Sequence, residues 1–353
     1  MKKILLYFAS FIFICFILPA ICTIPLKVDT IAKEKPQEES KDKTEQEVQE
    51  QVQEGEAVQV KNEESSTYDY RQYNTIKLLH AENGEIEEVP LDEYLYGVVS
   101  AEMPASFELE ALKAQATVAR TYTIYQIENN GTKHENAHIC DSSTCCQAWI
   151  SKENRLAKWA ENERDAYWQK IMQAVNETTG KIITYEGKPI NAFFHSNSGG
   201  VTESSVNIWG GIEYPYLKSV ETAGEEGYSQ YSSEISFTKE ELINKIKETH
   251  QEIEIDWNQE NSIQILEYTD SGRVRTIKFG NINIAGTEAR TILGLRSTNF
   301  VINVIEDKIT FSVTGYGHGV GMSQTGADSL AKQGSGFEEI IKHFYTGVKI
   351  SNY

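Results

Sequence analysis

The fold is organised around the stretch Val98-Val99-Ser100-Ala101-Glu102-Met103-Pro104, an apolar run that ends in one carboxylate and a proline. Upstream, from Leu91 to Val99, apolar side chains recur at helical spacing, and a residue that precedes proline disfavours the α conformation. The pattern therefore predicts a helix that ends at Glu102. A carboxyl group among apolar residues can keep its proton near neutral pH, as a catalytic acid must. Glu102 is our candidate catalytic residue, and an ordinary surface glutamate is the alternative.

A second helix is predicted from about Glu108 to Tyr125. Its two cations, Lys113 and Arg120, are seven residues apart, which is close to two helical turns, so they share one face. Cations beside a carboxyl group lower its pKa, and they can also bind substrate oxygens. The alternative is that both are ordinary charges of a helix surface.

Three motifs follow one another in this region: Ser100-Ala101-Glu102-Met103-Pro104, Leu112-Lys113-Ala114-Gln115-Ala116 and Ala119-Arg120-Thr121-Tyr122. In this order they resemble the stage II sporulation protein D family of bacterial lytic transglycosylases, and the resemblance extends from about Pro90 to the C-terminus. It implies that Glu102 is the catalytic acid and base. It also implies that Lys113 and Arg120 position substrate or tune Glu102.

The composition favours a globular protein with no nucleic-acid partner. The chain has 353 residues, of which 40% are hydrophobic, enough for one large domain or two. Its formal net charge of -19 argues against binding to phosphate backbones, which need a basic face. The same charge disfavours simple electrostatic docking on anionic lipid.

The N-terminal region predicts a membrane anchor followed by a linker. Two lysines precede an uncharged run from Ile4 to about Ile24, long enough to cross a hydrocarbon core of ~30 Å, with the lysines on the cytoplasmic side. We therefore expect residues 1–24 to be a cytoplasmic tip and a transmembrane helix, with a cleaved signal peptide as the alternative. Residues 25–67 are predicted to be a disordered acidic linker, because Ala32 to Thr67 contains no aromatic residue. A charged surface helix is the alternative there.

Residues 68–353 are the predicted catalytic domain, of the α+β class, with a mixed helical and β core and a smaller α+β subdomain at about 221–305. Asn83-Gly84 predicts a β-hairpin, and Thr238 followed by Glu241 predicts a helix N-cap. Further helices are predicted near 164–175, 327–332 and 337–344, and further strands at Ile182–Tyr185, Ile190–Phe194, Ile263–Tyr268, Val274–Phe279 and Ile309–Val313. The last of these strands is expected to return to the main core.

A cysteine cluster predicts a metal site. Cys140, Cys145 and Cys146 follow His134, and thiolate and imidazole ligands suit Zn²⁺ in a closed tetrahedral site. The resemblance implies a zinc held by mixed His and Cys ligands, here three cysteines and His134. A family histidine can stand where this chain has Cys145, so His138 is an alternative ligand. Four protein ligands leave no position for water, so such a zinc would be structural. The alternative to a metal site is a cluster of reduced or partly disulfide-linked cysteines.

Two glycine-rich segments are candidate substrate sites: His195-Ser196-Asn197-Ser198-Gly199-Gly200 and Gly315 to Gln324. The second lacks the Gly-Lys-Ser/Thr ending of a phosphate loop, so nucleotide binding is disfavoured. Glycines can let backbone approach a sugar closely. The resemblance includes both segments and implies substrate-binding roles for six residues: His195, Ser196, Ser198, His318, Ser323 and Gln324.

The resemblance implies a single-pass membrane protein that cleaves peptidoglycan glycan strands outside the cytoplasmic membrane during engulfment in sporulation. Glu102 would protonate the bond between N-acetylmuramic acid and N-acetylglucosamine, and would then accept the proton of the muramoyl C6 hydroxyl as a 1,6-anhydro end forms. The implied partners are an amidase-endopeptidase and a membrane scaffold of the engulfment machinery. A hydrolytic muramidase that uses a second carboxylate such as Glu203, and a non-catalytic cell-wall-binding module, are the alternatives.

Overall fold

The computed structural model describes residues 70–129, 133–211 and 213–352, all of which belong to one compact unit. The predicted anchor at residues 1–24 and the predicted linker at 25–67 lie outside the described residues. Within the described ranges, none of the helices has the length and apolar character that a membrane span requires.

The described chain begins with a hairpin and two long helices. These elements are a 3-10 turn (Tyr70–Tyr73), β1 (Thr75–Leu79), β2 (Ile86–Pro90), α1 (Leu91–Glu102) and α2 (Leu109–Asn129). The predicted hairpin is confirmed, because β1 and β2 pair antiparallel. Helix α1 ends at Glu102 as predicted, since Met103 turns to extended backbone before Pro104.

Shorter elements follow between residues 139 and 209. They are β3 (Ile139–Cys140), α3 (Lys152–Lys158), α4 (Arg164–Asn176), β4 (Lys181–Tyr185), β5 (Lys188–Pro189), β6 (Phe194–His195) and α5 (Ser205–Trp209). The predicted strand at Ile190–Phe194 is wrong over most of its length, and only Phe194 lies in a strand. The intervening backbone bonds to tyrosine side chains instead: the Asn191 N–H donates to the Tyr216 hydroxyl at 3.0 Å.

A second hydrophobic core lies between residues 232 and 314. It is built from β7 (Ser232–Thr238), α6 (Lys239–Lys247), β8 (Ile263–Tyr268), β9 (Val274–Phe279), β10 (Ile282–Ala285), α7 (Gly286–Leu293), β11 (Phe300–Ile305) and β12 (Lys308–Thr314). Its sheets have the strand orders β10-β9-β8 and β11-β12-β7. Strand β12 does not return to the main core as expected. It is the middle strand of its sheet, and Ile309, Phe311 and Val313 pack in the second core.

The predicted N-cap of α6 is confirmed. The Thr238 hydroxyl accepts a hydrogen bond from the Glu241 N–H at 3.2 Å, and the Glu241 carboxylate accepts one from the Thr238 N–H at 2.8 Å. This reciprocal arrangement satisfies two N–H groups that the first helical turn leaves without partners.

The last part of the chain brings the two glycine-rich segments together. Its elements are β13 (Met322–Ser323), α8 (Gln324–Lys332), α9 (Phe337–Phe344) and β14 (Lys349–Asn352). Strand β13 pairs parallel with β6, which sets Met322 opposite Phe194 and Ser323 opposite His195. Strand β14 pairs antiparallel with β4.

Helix α2 lies at the centre of the main core, in contact with α1, α4, α8, α9 and β4. Three threonines are buried on it because each hydroxyl donates to the carbonyl four residues earlier: Thr117, Thr121 and Thr123, at 3.0, 2.7 and 2.8 Å. The Thr121 hydroxyl also accepts the Ile183 N–H of β4 at 2.9 Å. The fold is therefore a mixed α+β structure in which α2 fixes the positions of α1 and α8.

Candidate active site

Glu102 has defined partners at the end of α1. Its Oε1 accepts the backbone N–H of Ala148 at 2.6 Å, and its Oε2 lies 3.5 Å from Nε2 of Gln324. Burial is the largest influence on this carboxyl group and raises the pKa of Glu102, although the two hydrogen bonds act in the opposite direction. The net result is a carboxyl group that holds its proton more tightly than an ordinary glutamate.

Glu102 opens onto a cleft of about 400 Å³. The cleft is lined by Ala101, Glu102, Met103, Pro104, Ala105, Ser106, Arg155, Trp159, Tyr167 and Gln230. Among the described residues that line it, Glu102 is the only carboxylate. The cleft therefore offers one acidic group beside aromatic and amide side chains.

The loop that carries Ala148 is fixed against α1 and α2. The side-chain amide of Gln147 donates to the hydroxyls of Tyr94 and Thr123, at 2.9 Å in each case. Gly97 lets the loop approach, because a Cβ on that residue would overlap the indole of Trp149. The Ala148 N–H, which donates to Glu102, is therefore held between the contacts of Gln147 and those of Trp149. Neither Ala148 nor Gln147 was a candidate from sequence, since a backbone donor carries no motif.

Gln324 is the predicted substrate residue that the structure brings to Glu102. It is the first residue of α8, and its side-chain amide also lies 3.4 Å from Oε1 of Gln115. Gln115 belongs to the second family motif, yet it was not singled out as a site residue. The two glutamines and Glu102 therefore form one polar group between α1, α2 and α8.

The two candidate cations have other partners. Lys113 pairs with Glu110 at 2.7 Å and with Glu177 at 2.5 Å. Arg120 has no exposed surface, and its guanidinium donates to the Asp92 carboxylate at 3.2 Å and to the Thr178 carbonyl at 2.8 Å.

Neither cation is among the groups that shift the pKa of Glu102. The expectation that Arg120 positions substrate by contact does not fit its placement, since the side chain is enclosed between α1, α2 and the end of α4. A substrate role for Lys113 stays a prediction.

Ser198 and Ser323 point to a buried carboxylate. Both hydroxyls donate to the side chain of Glu225, which also accepts the Thr325 hydroxyl at 2.8 Å and the Gly200 N–H at 3.1 Å. Glu225 is fully buried. These two serines therefore join the glycine-rich segments through Glu225 rather than lining an open groove. No sequence pattern marked Glu225, because it lies in a loop without a motif.

His195 and His318 bracket Val320. The His195 ring lies 3.2 Å from the Val320 carbonyl, and Nδ1 of His318 accepts the Val320 N–H at 3.0 Å. Burial lowers the pKa of His195 to about 3 and holds the pKa of His318 well below its usual range. Both rings are therefore neutral at physiological pH. Ser196 is only partly buried, and its carbonyl accepts the Thr325 N–H at 3.1 Å.

The glycines of the second segment serve packing within the chain. Gly319 has a φ of 84°, and a Cβ there would lie 2.6 Å from the Arg273 guanidinium. Arg273 is buried and donates to the carbonyls of Ser198 and Val201 at 2.7 and 3.0 Å. The close approach that Gly319 permits is to this arginine, and not to a sugar as the sequence suggested.

Four metal-ligand side chains converge as the sequence predicts. The ligand atoms of His134, Cys140, Cys145 and Cys146 all lie within 4.8 Å of one another. Nε2 of His134 is 3.2 Å from the Cys146 sulfur, and the sulfurs of Cys145 and Cys146 are 4.0 Å apart. Zinc bonds of about 2.0 to 2.3 Å in a tetrahedron need donor separations of roughly 3.5 to 3.8 Å. The donor set and its spacing therefore fit a zinc ion.

His138 as an alternative ligand, and a disulfide within the cysteine cluster, have less support than the four-ligand site. Nδ1 of His138 accepts the Lys77 backbone N–H at 3.1 Å, which commits that nitrogen to the hairpin. All three cysteines of the cluster are free thiols in the structure.

Comparisons with known proteins place the chain in a family. A stage II sporulation protein family model matches residues 80–185, and a model of a domain of unknown function matches residues 217–321. Stage II sporulation protein D of Bacillus amyloliquefaciens is 35% identical over 279 residues, which is 78% of each chain. Its counterpart in Bacillus subtilis (strain 168) is 35% identical over 278 residues, 78% of this chain and 79% of the relative.

A third relative is more distant. The amidase enhancer of Bacillus subtilis (strain 168) is 28% identical over 312 residues, which cover 73% of this chain and 40% of that protein. The identity to the two sporulation proteins, over more than two thirds of the chain, is the stronger result. This chain belongs to the stage II sporulation protein D family.

Proposed function

We propose that the protein is a lytic transglycosylase that cleaves the bond between N-acetylmuramic acid and N-acetylglucosamine in peptidoglycan during sporulation. The observation that carries the proposal is Glu102, the one carboxyl group among the described residues that line the cleft, whose pKa is raised by burial. A raised pKa keeps a carboxylic acid protonated at the pH where it must donate. The family resemblance supports peptidoglycan as the substrate class.

One carboxyl group is sufficient for this reaction. Glu102 protonates the glycosidic oxygen, and the bond to the muramoyl C1 breaks. The carboxylate then accepts the proton of the C6 hydroxyl as that oxygen attacks C1, which regenerates the acid and leaves a 1,6-anhydro end. No water is consumed, so no second carboxylate is needed to activate one. The Ala148 N–H stabilises the carboxylate between the two steps, because it already donates to Oε1.

The placement of Glu203 disfavours a hydrolytic muramidase that would use it as the second carboxylate. Glu203 is 1% exposed and accepts hydrogen bonds from Ser204, Asn207, Thr269 and Ser271 at 2.7, 2.8, 2.5 and 2.5 Å. Burial alone would raise the pKa of Glu203, but these donors outweigh it and leave the pKa below its ordinary value. Its hydrogen-bonding capacity is already used within the protein.

The proposed zinc would have a structural role beside Glu102. His134, Cys140, Cys145 and Cys146 would hold the ion and leave no coordination position for substrate or water. Bound there, it would supply a cross-link that fixes the loop through Gln147 and Ala148. The chain's own residues then present the Ala148 N–H to Glu102.

We propose the partners and location on the basis of family membership and the N-terminal sequence. The uncharged run from Ile4 to Ile24 after two lysines supports a single-pass anchor in the cell membrane, with the catalytic domain outside the cytoplasm. The name of the amidase enhancer relative associates that protein with an amidase. This supports an amidase as one proposed partner of this chain, and the family resemblance is our basis for proposing an engulfment amidase-endopeptidase and a membrane scaffold.

Mass analysis of digested glycan strands tests the proposal. Products of a transglycosylase carry 1,6-anhydro ends and are lighter by one water than hydrolytic products. Reducing-end muramic acid would support the muramidase instead. Binding without cleavage would support the non-catalytic cell-wall module.

A further inference from the structure

A line of aromatic rings leads from the neighbourhood of Glu102 to the protein surface. Ring centroids are 6.2 Å apart between Tyr122 and Phe193, 4.5 Å between Phe193 and Trp209, and 5.2 Å between Trp209 and His318. Phe193 directly precedes β6, which pairs with β13, and Gln324, the residue after β13, lies 3.5 Å from Oε2 of Glu102. The line therefore passes through the part of the fold that holds that carboxyl group. Its outer end lies at α5.

Trp209 is the exposed member of this line. Its side chain is 49% exposed, whereas Tyr122 is 6% exposed. Tryptophan is the largest apolar side chain, so a ligand or partner that covered its exposed half would remove a large apolar area from water. Val206, three residues earlier on α5, is 38% exposed and extends the same apolar surface along the helix. The surface therefore offers an uncovered aromatic face.

The Trp209 ring is held in place before any ligand arrives. Phe193 packs against it at an interplanar angle of 35°, and His318 packs at 55°. His318 cannot turn freely because its Nδ1 accepts the Val320 N–H. The Phe193 carbonyl in turn accepts the Tyr345 hydroxyl at 2.7 Å. A rigid aromatic side chain loses little conformational entropy on binding, which is the property of an effective binding site.

The chemistry of this surface favours a neutral, amphipathic ring as ligand. His318 is uncharged, because burial and the neighbouring His195 hold its pKa well below its usual range. Within the described part of the chain, no lysine or arginine stacks on Trp209, although cations stack on six other rings. A pyranose sugar has an apolar C–H face and polar edges, so one face can cover the indole while its hydroxyls stay in water. The net charge of -19 disfavours an anionic membrane as the occupant.

We propose that Trp209, supported by Phe193 and His318, is a stacking subsite for an N-acetylated sugar of the glycan strand, at a distance along the strand from the bond at Glu102. The proposal rests on the glycan substrate of the proposed function. It assigns Trp209 a binding role and no part in proton transfer. Glycan strands long enough to reach both Glu102 and Trp209 should bind more tightly than short ones.

Calorimetric titration of the full-length protein tests the subsite, with Glu102→Gln as the background so that no strand is cleaved. The probes are the N-acetylglucosamine tetramer and dimer and peptide-free glycan strands. Trp209→Ala should bind strands and tetramer about tenfold more weakly, a typical loss for an aromatic anchor, and should change dimer binding much less. Trp209→Phe keeps a ring and should stay within about threefold. Tyr268→Ala removes a different half-exposed aromatic ring, 51% exposed and outside the line of packed rings, and should leave binding unchanged.

Unchanged strand affinity in a folded Trp209→Ala variant would overturn the subsite. So would an equal loss in Tyr268→Ala, or a loss of binding to phosphatidylglycerol vesicles with glycan binding intact. If Trp209→Ala does not fold, Trp209→Phe and Trp209→Leu are compared instead. Trp209→Phe should then bind strands normally, and Trp209→Leu should bind them more weakly. The subsite and the proposed reaction fail separately. If the wild-type protein releases anhydro products but Trp209→Ala binds strands normally, the subsite alone is refuted. If Trp209→Ala binds strands more weakly but the wild-type protein releases no anhydro products, the reaction alone is refuted.

Discussion

The backbone N–H of Ala148 donates to Oε1 of Glu102 across 2.6 Å, and Ala148 lies two residues after Cys146. The same short loop therefore carries a candidate metal ligand at one end and the hydrogen-bond donor to the candidate acid at the other. Because only Gln147 separates the two, we expect a change at the cysteine cluster to alter the position of the Ala148 N–H. This relationship connects a structural site with the proposed chemistry.

Replacing Glu102 with Gln should abolish glycan cleavage while the fold and glycan binding persist. The amide is close in shape to the acid but cannot donate and then accept a proton, so we expect at least a 10²–10⁴-fold loss of turnover. Release of anhydro-muramoyl products by mass analysis is the measurement. Glu93→Gln, an exposed position on the same helix, is the control and should cleave normally. Turnover near that of the wild type in Glu102→Gln would refute the assignment.

The same substitution should change how stability depends on pH. Since burial raises the pKa of Glu102, the folded protein binds this proton more tightly than the unfolded chain. That contribution to stability is complete below the ordinary glutamate pKa and is lost as pH rises through the raised value. Thermal melts between about pH 4 and 8 should show Glu102→Gln gaining Tm relative to wild type as the pH rises. A Tm difference that does not vary with pH would contradict a raised pKa.

Cys140→Ser should lower zinc content and melting temperature together. If four ligands close the site, the purified protein carries about one zinc, and its binding energy contributes to folding. Elemental analysis and thermal melts measure both quantities. His138→Ala should keep the metal, because His138 bonds to the hairpin and lies outside the cluster. Full zinc occupancy in Cys140→Ser would exclude this ligand set, and loss of activity on chelation without any loss of stability would make the metal catalytic.

Arg120→Ala should destabilise the protein by about 3–5 kcal/mol, because it leaves buried carbonyl groups and the Asp92 carboxylate without their partner. Denaturant titration measures the free energy of unfolding. Arg275→Ala removes a surface arginine paired with Glu267 and should cost less than about 1 kcal/mol. Normal stability with weakened glycan binding in Arg120→Ala would restore the substrate role that the sequence suggested.

Glu225→Gln should destabilise the protein by about 3 kcal/mol, since an amide oxygen cannot accept all the donors that surround this carboxylate. Glu226→Gln, the exposed neighbour, is the control and should be neutral. Denaturant unfolding at neutral pH is the measurement. A neutral effect at Glu225 would mean that Ser198 and Ser323 are free to serve substrate, as the family resemblance implied.

Much of the local structure could be predicted because it depends on neighbouring residues. The end of α1, the hairpin and the N-cap of α6 each follow from periodicity or turn chemistry within a few residues. The prediction of a strand at Ile190–Phe194 was wrong, because the backbone there bonds to side chains that are distant in the sequence, including those of Tyr216 and Tyr345. The prediction that β12 returns to the main core was wrong for the same reason, since the pattern of a strand does not say which sheet it joins.

The sequence by itself determined the family motifs, the position of Glu102 at a helix end, and the histidine and cysteines that converge in one cluster. The tertiary structure alone decided the environment that gives those residues their properties. Gln324 reaches Glu102 across 222 residues of sequence, and Arg120 is enclosed by helices that no local pattern places beside it. Burial and hydrogen bonding set both a pKa and the access to substrate, and both depend on how distant segments pack. Residue types therefore predicted the candidate chemistry, and packing decided which of these side chains are buried and which line the cleft.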